Sequence, residues 1–483
     1  MKSINKKIKR AKAVCWLFFL LCFTFSFTAC KKFLDEKPNI SDVIPTTLND
    51  LQTLLDNAQG AMNSNGSGAY GELLADNFYV LPTTWQTFAS SSILTNQSET
   101  QNYIWGNLPH DVYWSFPYTG PIYCSNIVLD QLPLVSTGPN EIEKYNNIRG
   151  AALFYRSFAF EGLAQLFCKP YAPENVNEPG IVLKLSSNVN QKISRATVQQ
   201  TYDRIIADLM EAASLLPDIT TIPPKLRTRP SKTAAYAALA RTYLSMRDYV
   251  NAGLYANKAL LQYNKLMSYD SLYDMVNNKA RFNPPIQRLN DEVIFHSYSP
   301  SYVLLAPSTH KIDTLLYQSY NVNDLRKFVF FRPFGSAYFF QGSYNGTQNF
   351  ASIFDGLATD ELYLMRAECS ARANNKTEAM DDLNYLLRTR WRKVGGVTTY
   401  VDQTASDPID ALNKVLAERR KELVFRGLRW SDVRRFNMEG ANITLKRNIA
   451  GTVYSLPPND PRSVMLISFS EIENNSNVLQ NPR

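Results

Sequence analysis

Histidine is almost missing from this chain: His110, His296 and His310 are the three in 483 residues. They stand far from one another and from any cysteine, so neither a zinc-ligand spacing nor a local nucleophile–histidine arrangement is present. A P-loop and a glycine-rich dinucleotide turn are also lacking, which removes the usual nucleotide chemistries. Cysteine is scarce and poorly placed for cross-linking. Of the six, Cys15 and Cys22 fall in an apolar N-terminal run and Cys30 closes it, leaving Cys124, Cys168 and Cys369. Three is an odd number, and each sits in an apolar or helical stretch, so buried thiols are expected rather than a disulfide framework. Carboxylates are plentiful. A glycosidase pair meets only in space, so a catalytic reading stays open, but no local motif favours it and the chain is expected not to be an enzyme. No cofactor and no metal are expected.

What is present starts with Lys2, Lys6, Lys7, Lys9, Arg10 and Lys12, followed by an apolar run over 13–29 that stops at Cys30. A positive region before a short apolar one is the layout of an export signal, and the run is slightly short of the roughly 20 residues a spanning helix needs. Phe27-Thr28-Ala29-Cys30 resembles a bacterial lipobox, with Phe27 where leucine is usual. In such signals the cysteine becomes the lipidated first residue; a simple N-terminal membrane anchor is the rival reading. Residues 1–29 are therefore assigned to the signal and 30–483 to the mature domain. Losing those six basic residues takes the formal charge from +8 to +2. The basicity belongs to the signal, and a nucleic-acid partner loses its support.

Residues 231–264 read as a helical hairpin. Ser231 after Pro230 is an N-cap; Tyr236, Leu239, Ala240 and Tyr243, then Ala252, Ala256 and Ala259, follow the spacing of a tetratricopeptide repeat. Small residues let antiparallel helices approach closely while tyrosines fill the groove. Ala256 and Asn264 depart from the repeat, which usually has a large aromatic and a proline there. One hairpin cannot bury its apolar face alone, so partners are expected. They are found at 147–167 with 198–216, split by an insertion over 169–196, and at 358–390; a further helix starts at Asp407-Pro408 and has Gly427 as its stop. Arg419 lies on the inner face of that helix, where a lone charge is costly, so a carboxylate partner is expected. Thr47 starts an earlier helix with Leu48, Leu51, Leu54 and Leu55 on one face.

Two stretches fall out of helical register. Residues 76–118 are rich in aromatics and amides without a clean period and read as loops and short turns, with Trp114 opening a helix. Residues 269–357 hold a strand pair, 327–332 and 337–344, about a turn at Pro333-Phe334-Gly335.

Glu418-Arg419-Arg420-Lys421-Glu422-Leu423, with Phe425-Arg426-Gly427-Leu428-Arg429-Trp430-Ser431-Asp432-Val433-Arg434-Arg435-Phe436, resembles the signature of the SusD/RagB family of outer-membrane nutrient-binding lipoproteins. So do Cys30-Lys31-Lys32-Phe33-Leu34-Asp35, Arg149-Gly150-Ala151, Phe154-Tyr155-Arg156, Glu471-Ile472 and Gln480-Asn481-Pro482. Arg426 replaces the family's usual glutamate, and Leu466-Ile467-Ser468 its Pro-Ile-Pro turn. The resemblance implies a mainly α, SusD-like fold: four tetratricopeptide-type helical hairpins (about 147–167, 198–264, 358–390 and 408–426) with a loop-rich second region containing short β-hairpins. It implies an outer-membrane, surface-exposed lipoprotein anchored through Cys30, with a glycan ligand and a SusC-type TonB-dependent transporter as partner. It also assigns the segments around 60–120 and 269–357 to the ligand-facing side. Capture of peptide or another polymer, or a purely structural scaffold, are the alternatives. Rings in segments without a helical period have no helix face to satisfy, and exposed rings offer flat apolar surfaces to sugars. Trp85, Tyr302 and Tyr338 are the candidate stacking platforms, and Asn77 a candidate hydrogen-bonding amide.

Each buried CH₂ of an acyl chain contributes roughly 0.8 kcal/mol of membrane affinity. Replacing Cys30 by Ala should move the protein from the outer-membrane fraction to the soluble fraction. Retention in membranes after a high-salt wash, in cells lacking the transporter, would contradict the lipid anchor.

Overall fold

Capping chemistry sets where the helices begin. The computed structural model describes residues 45–347 and 352–483. Met1–Thr46 and Thr47–Arg483 form separate units, and every helix and strand among the described residues belongs to the second. The signal and Cys30 lie outside the described residues. Helix α1 (Leu48–Leu55) starts at Thr47, whose hydroxyl accepts from Asp50 N while the Asp50 carboxylate accepts from Thr47 N. It buries Leu48, Leu51 and Leu55. Helix α2 (Gly68–Leu74), strand β1 (Phe78–Val80) and helices α3 (Pro82–Ala89), α4 (Leu94–Tyr103), α5 (Asp111–Pro117) and α6 (Tyr123–Gln131) follow.

The stretch over 76–118 is thus largely helical, where loops were expected. The reason lies in α4, which buries Asn96, Ser98, Glu99, Thr100 and Asn102. Its inward face is polar and each group needs its own partner: Tyr70 donates to Asn102 Oδ1 at 2.5 Å, and Asn102 Nδ2 donates to Ser98 O at 2.7 Å. A search for apolar periodicity cannot see such a helix. Helix α3 has no fully buried residue and lies on the surface. Trp114 belongs to the core, 1% exposed, and α5 runs through a π-helical turn at Tyr118–Ile122 into α6.

Helices α7 (Ile142–Phe167), α8 (Val198–Leu215), α9 (Lys232–Ser245) and α10 (Tyr249–Gln262) form two antiparallel pairs packed side by side. The 231–264 hairpin appears as expected: Ser231 Oγ accepts from Ala234 N at 3.1 Å, and Ala252, Ala256 and Ala259 are buried. Asp248 N-caps α10 in the same manner. The insertion between α7 and α8 is held by Arg195, which donates to the carbonyls of Gly180, Pro179, Phe167 and Leu479 and to Asn481 Oδ1. Asn481 Nδ2 in turn donates to Phe167 O and Met465 O, and Met465 N to Leu166 O.

The second region carries strands β2 (Val293–Phe295) and β3 (His310–Ile312), helix α11 (Thr314–Gln318), and strands β4 (Phe331–Phe334), β5 (Ala337–Phe340) and β6 (Leu357–Ala358). Sheets here are antiparallel pairs: β1 with β3, β4 with β5, and β2 with β6. The β4–β5 hairpin starts later than the sequence implied, because residues Arg326–Val329 form a helical turn. There the Arg326 guanidinium is held by Asp324 at 2.7 Å, Glu418 at 2.5 Å and Glu422 at 3.0 Å.

Helices α12 (Thr359–Arg372) and α13 (Lys376–Arg388) pair next, with α12 packed on α10. Helix α14 (Pro408–Glu422) closes the stack against α12 and α13, and α15 (Arg429–Met438) folds back onto α2 and α9. Asp407 caps α14 and Pro408 occupies its first position. The helix ends at Glu422, short of 426, since Phe425 and Gly427 take positive φ of 56° and 71°. Gly427 also abuts Gly68, 2.3 Å from where its own Cβ would stand, so any side chain is excluded. Cys124, Cys168 and Cys369 are buried free thiols.

Arg419 has its carboxylate: Nε donates to Asp432 at 2.9 Å, and the same Asp432 accepts from Arg435, which also grips Glu368 at 2.5 Å. Arg426, standing in place of the family's glutamate, pairs with Asp360 at 2.8 Å and lies over the Tyr344 ring. Removing one member of a buried pair strands the other, so Arg419→Ala should cost roughly 3–5 kcal/mol of stability. A denaturant midpoint equal to that of the wild type would show that this pair is not needed.

Candidate functional site

The two loop-rich segments meet at β1 and β3, where Tyr79 lies opposite Lys311. Strand β1 alternates as its short apolar pattern demands: Phe78 and Val80 are buried and Tyr79 is 36% exposed. Strand β3 packs against β5. Lys311 extends under the Phe334 ring, its Nζ 4.2 Å from the centroid, and burial lowers its pKa. Phe334 is 49% exposed beside the Gly335 turn, where φ is +61° and a Cβ would meet nothing.

On the opposite face of the hairpin, Tyr338 stacks on Tyr317 of α11, with centroids 3.8 Å apart and planes 17° from parallel. Both rings are half-buried, and Lys327 Nζ sits 4.8 Å from the Tyr317 centroid. Close to β1 in the chain, α3 carries Trp85 half-buried, its ring N–H donating to Thr100 O at 3.1 Å. Phe88 is half-buried one turn on.

The four candidates therefore divide. Trp85 and Tyr338 keep partial exposure. Tyr302 is 7% exposed and belongs to an interior ring cluster: its centroid is 4.5 Å from that of Tyr113, which stacks on Tyr70 at 3.7 Å. Asn77 is 1% exposed. Its Nδ2 donates to Glu72 Oε1 at 2.8 Å, its Oδ1 accepts from Arg420 at 3.3 Å, and its carbonyl accepts from Asp313 N. Both residues lie in stretches without a helical period, and the reasoning that such rings and amides reach solvent fails because Tyr302 packs against His110 and Tyr113 and Asn77 is held by Glu72, Arg420 and Asp313. Tyr79, Tyr317 and Phe334 were missed. The Phe-Tyr-Val alternation and the turn flanking Gly335 were the signals available for Tyr79 and Phe334; Tyr317 has none, since its exposure follows from where α11 lies.

None of these rings lines the larger concavities. A groove of about 710 Å³ runs between α10 and the α12–α13 pair, and a cleft of about 600 Å³ between α1, α7 and residues 216–230. The titratable groups beneath the rings are enclosed. Glu99 Oε2 accepts from Leu304 N at 3.1 Å, and burial pushes its carboxyl up to about 7; burial lowers His110 to about 4. The oxygens of Glu292, Asp360 and Glu422 lie within 4.8 Å of one another, a spacing that suits a metal. Arginines supply the positive charge there instead: Arg390 is 2.8 Å from Glu292 and 2.7 Å from Glu422, and Arg426 grips Asp360.

Residues 32–244 match a family model described as starch-binding associating with outer membrane, and 359–483 match the SusD family. The chain belongs to the SusD/RagB family. SusD-like protein P2 of Formosa agariphila is 24% identical over 399 residues, covering 71% of this chain and 75% of that protein. A SusD superfamily protein of Bacteroides thetaiotaomicron superposes with a TM-score of 0.71 at 21% identity, over 90% of this chain and 100% of the other. Surface glycan-binding protein A of Bacteroides uniformis gives 0.66 at 18% identity, over 90% and 99%. This SusD fold is mainly α, as expected. Among the described residues no helix is long and apolar enough to cross a membrane.

Glu99 generates a pH-dependent prediction. With its folded pKa raised from 4.5 to about 7, the folded protein keeps a proton that the unfolded chain has released, so this group's stabilisation is present below pH 4.5 and lost as pH rises to 7. Glu99→Gln retains an acceptor for Leu304 N without ionising. It should match the wild type at pH 4.5 and exceed it at pH 8, by about 3 kcal/mol if the whole shift is realised. Parallel stability curves over this range would contradict a buried Glu99 proton.

Proposed function

We propose that this protein is a cell-surface glycan-binding lipoprotein that captures oligosaccharide and passes it to a SusC-type TonB-dependent outer-membrane transporter. Membership of the SusD/RagB family supports the reading, and the Tyr317–Tyr338 stack carries the proposed site. The two stacked rings fix one another and form a rigid apolar feature, with Lys327 Nζ lying over the Tyr317 ring. Trp85, Phe334 and Tyr79 are further rings of the two segments with partial exposure, while Tyr302 and Asn77 are enclosed. Binding without hydrolysis is favoured because Glu99 and His110 are enclosed with the interior rings. Lipidation at Cys30 would hold the domain at the membrane.

The test is calorimetry with a glycan found by array screening, on Trp85→Ala, Tyr317→Ala and Tyr338→Ala, with folding checked by circular dichroism. A ring in direct contact should cost at least about 1 kcal/mol, roughly fivefold in Kd. Unchanged affinity in all three variants would remove the site, tight binding of peptides but no glycan would favour the other polymer class, and release of reducing ends would overturn the non-enzymatic reading.

A further inference from the structure

A narrow cavity of about 70 Å³ lies where α7, α9, the glycine-rich loop before α2 and residues 419–435 come together. Four side chains lining it each keep one polar atom without a protein partner: Arg419 Nη1, Arg426 Nη1, the Trp430 ring N–H and Asp355 Oδ1. All four residues are more than nine-tenths buried. Three of them are anchored through other atoms. Arg419 Nε donates to Asp432 at 2.9 Å, Arg426 Nη2 donates to both Asp360 oxygens, and Asp355 Oδ2 accepts from Ser299 Oγ at 2.7 Å and Gly68 N at 3.2 Å. The loop is shaped around that carboxylate, since a Cβ on Gly66 would fall 1.7 Å from Asp355 Oδ2 and one on Gly68 2.6 Å from Asp355 Cβ.

A buried donor or acceptor left unmade costs about 1–3 kcal/mol, so four facing one space call for a common occupant. Charge selects its class. The guanidiniums on the wall already face carboxylates: Arg241 faces Glu361, Arg419 and Arg435 share Asp432, and Arg426 faces Asp360. Among the described residues no unmatched positive charge is left on this wall for an anion, which would also oppose Asp355 and Glu161. A metal cation would face three N–H groups and the Arg241 guanidinium. Three donors and an acceptor together suit a neutral molecule that both accepts and donates.

We propose that this cavity is a built hydration site, in which ordered water bridges Arg419, Arg426 and Trp430 to Asp355. At about 30 Å³ per water the cavity of about 70 Å³ holds on the order of two. This water joins the segment leading into α12 to the charged signature of α14 and α15, through contacts that no direct side-chain bond provides. Burial pushes Asp355 and Glu161 upward, Glu161 to about 7, in keeping with acids that lack the direct guanidinium clamp that Asp432 has.

The experiment is a crystal structure of the protein at about 1.8 Å or better, with a parallel bromide soak. Ordered waters within hydrogen-bond distance of the four atoms are expected, and no anomalous peak. A bromide peak at the Arg419–Arg426–Trp430 corner would replace water by an anion, and featureless density would overturn the proposal. Trp430→Phe removes the indole N–H together with the part of the ring that carries it; loss or displacement of the water bonded to that N–H is expected, and an unchanged water pattern would exclude Trp430 from the site.

Discussion

Arg326 and Arg390 have no exposed side-chain surface, and their neutralisation ties the molecule together. Removing a guanidinium from water is expensive and is offset only by carboxylates in good geometry. Here they come from two distant parts of the chain: Asp324 and Glu292 from the loop-rich region, Glu418 and Glu422 from α14. Glu422 serves both arginines, so the two pairs behave as one unit. The loop-rich region cannot lift away from the scaffold without exposing this charge set half-made, which holds the surface rings on a firm base.

The same constraint explains why the charged signature reads so strongly in sequence. The 418–435 segment is a dense run of charge on helices whose other residues are apolar, and such a run is tolerable only when its partners are fixed. Repeat hairpins were legible for a related reason: alanine and tyrosine at fixed spacing, with Ser231, Asp248 and Asp407 as caps, define helices from local rules alone. What escaped was structure whose cause is not local. Helix α4 buries Asn102 and Glu99, whose partners Tyr70, Leu108 and Leu304 lie outside it, none predictable from its own sequence. Tyr302 and Asn77 were misplaced for the same reason, while Tyr338 keeps partial exposure on β5.

Rings on this protein thus fall into two populations. Tyr70, Tyr113 and Tyr302 stack inward and fill the interior beneath α4. Tyr317, Tyr338, Phe334 and Tyr79 remain at the surface, each steadied by a neighbouring ring or lysine rather than by deep burial. A plate held this way needs little ordering when a partner arrives, so less of the interaction energy is lost to immobilising side chains.

Arg195 and Asn481 bear on the order in which the molecule can assemble. The end of α7 is fastened to residues 465–481, and Asn481 lies 314 positions beyond Phe167. The first helical pair therefore stays incomplete until nearly the whole chain is available, although its two helices are neighbours in sequence. A nascent chain threading N-terminus first through a narrow channel cannot finish this repeat on the way. Its insertion and the α7 terminus wait as an unfilled seat until residues 465–481 arrive, and closing so long a loop carries an entropy cost that the local hairpins do not.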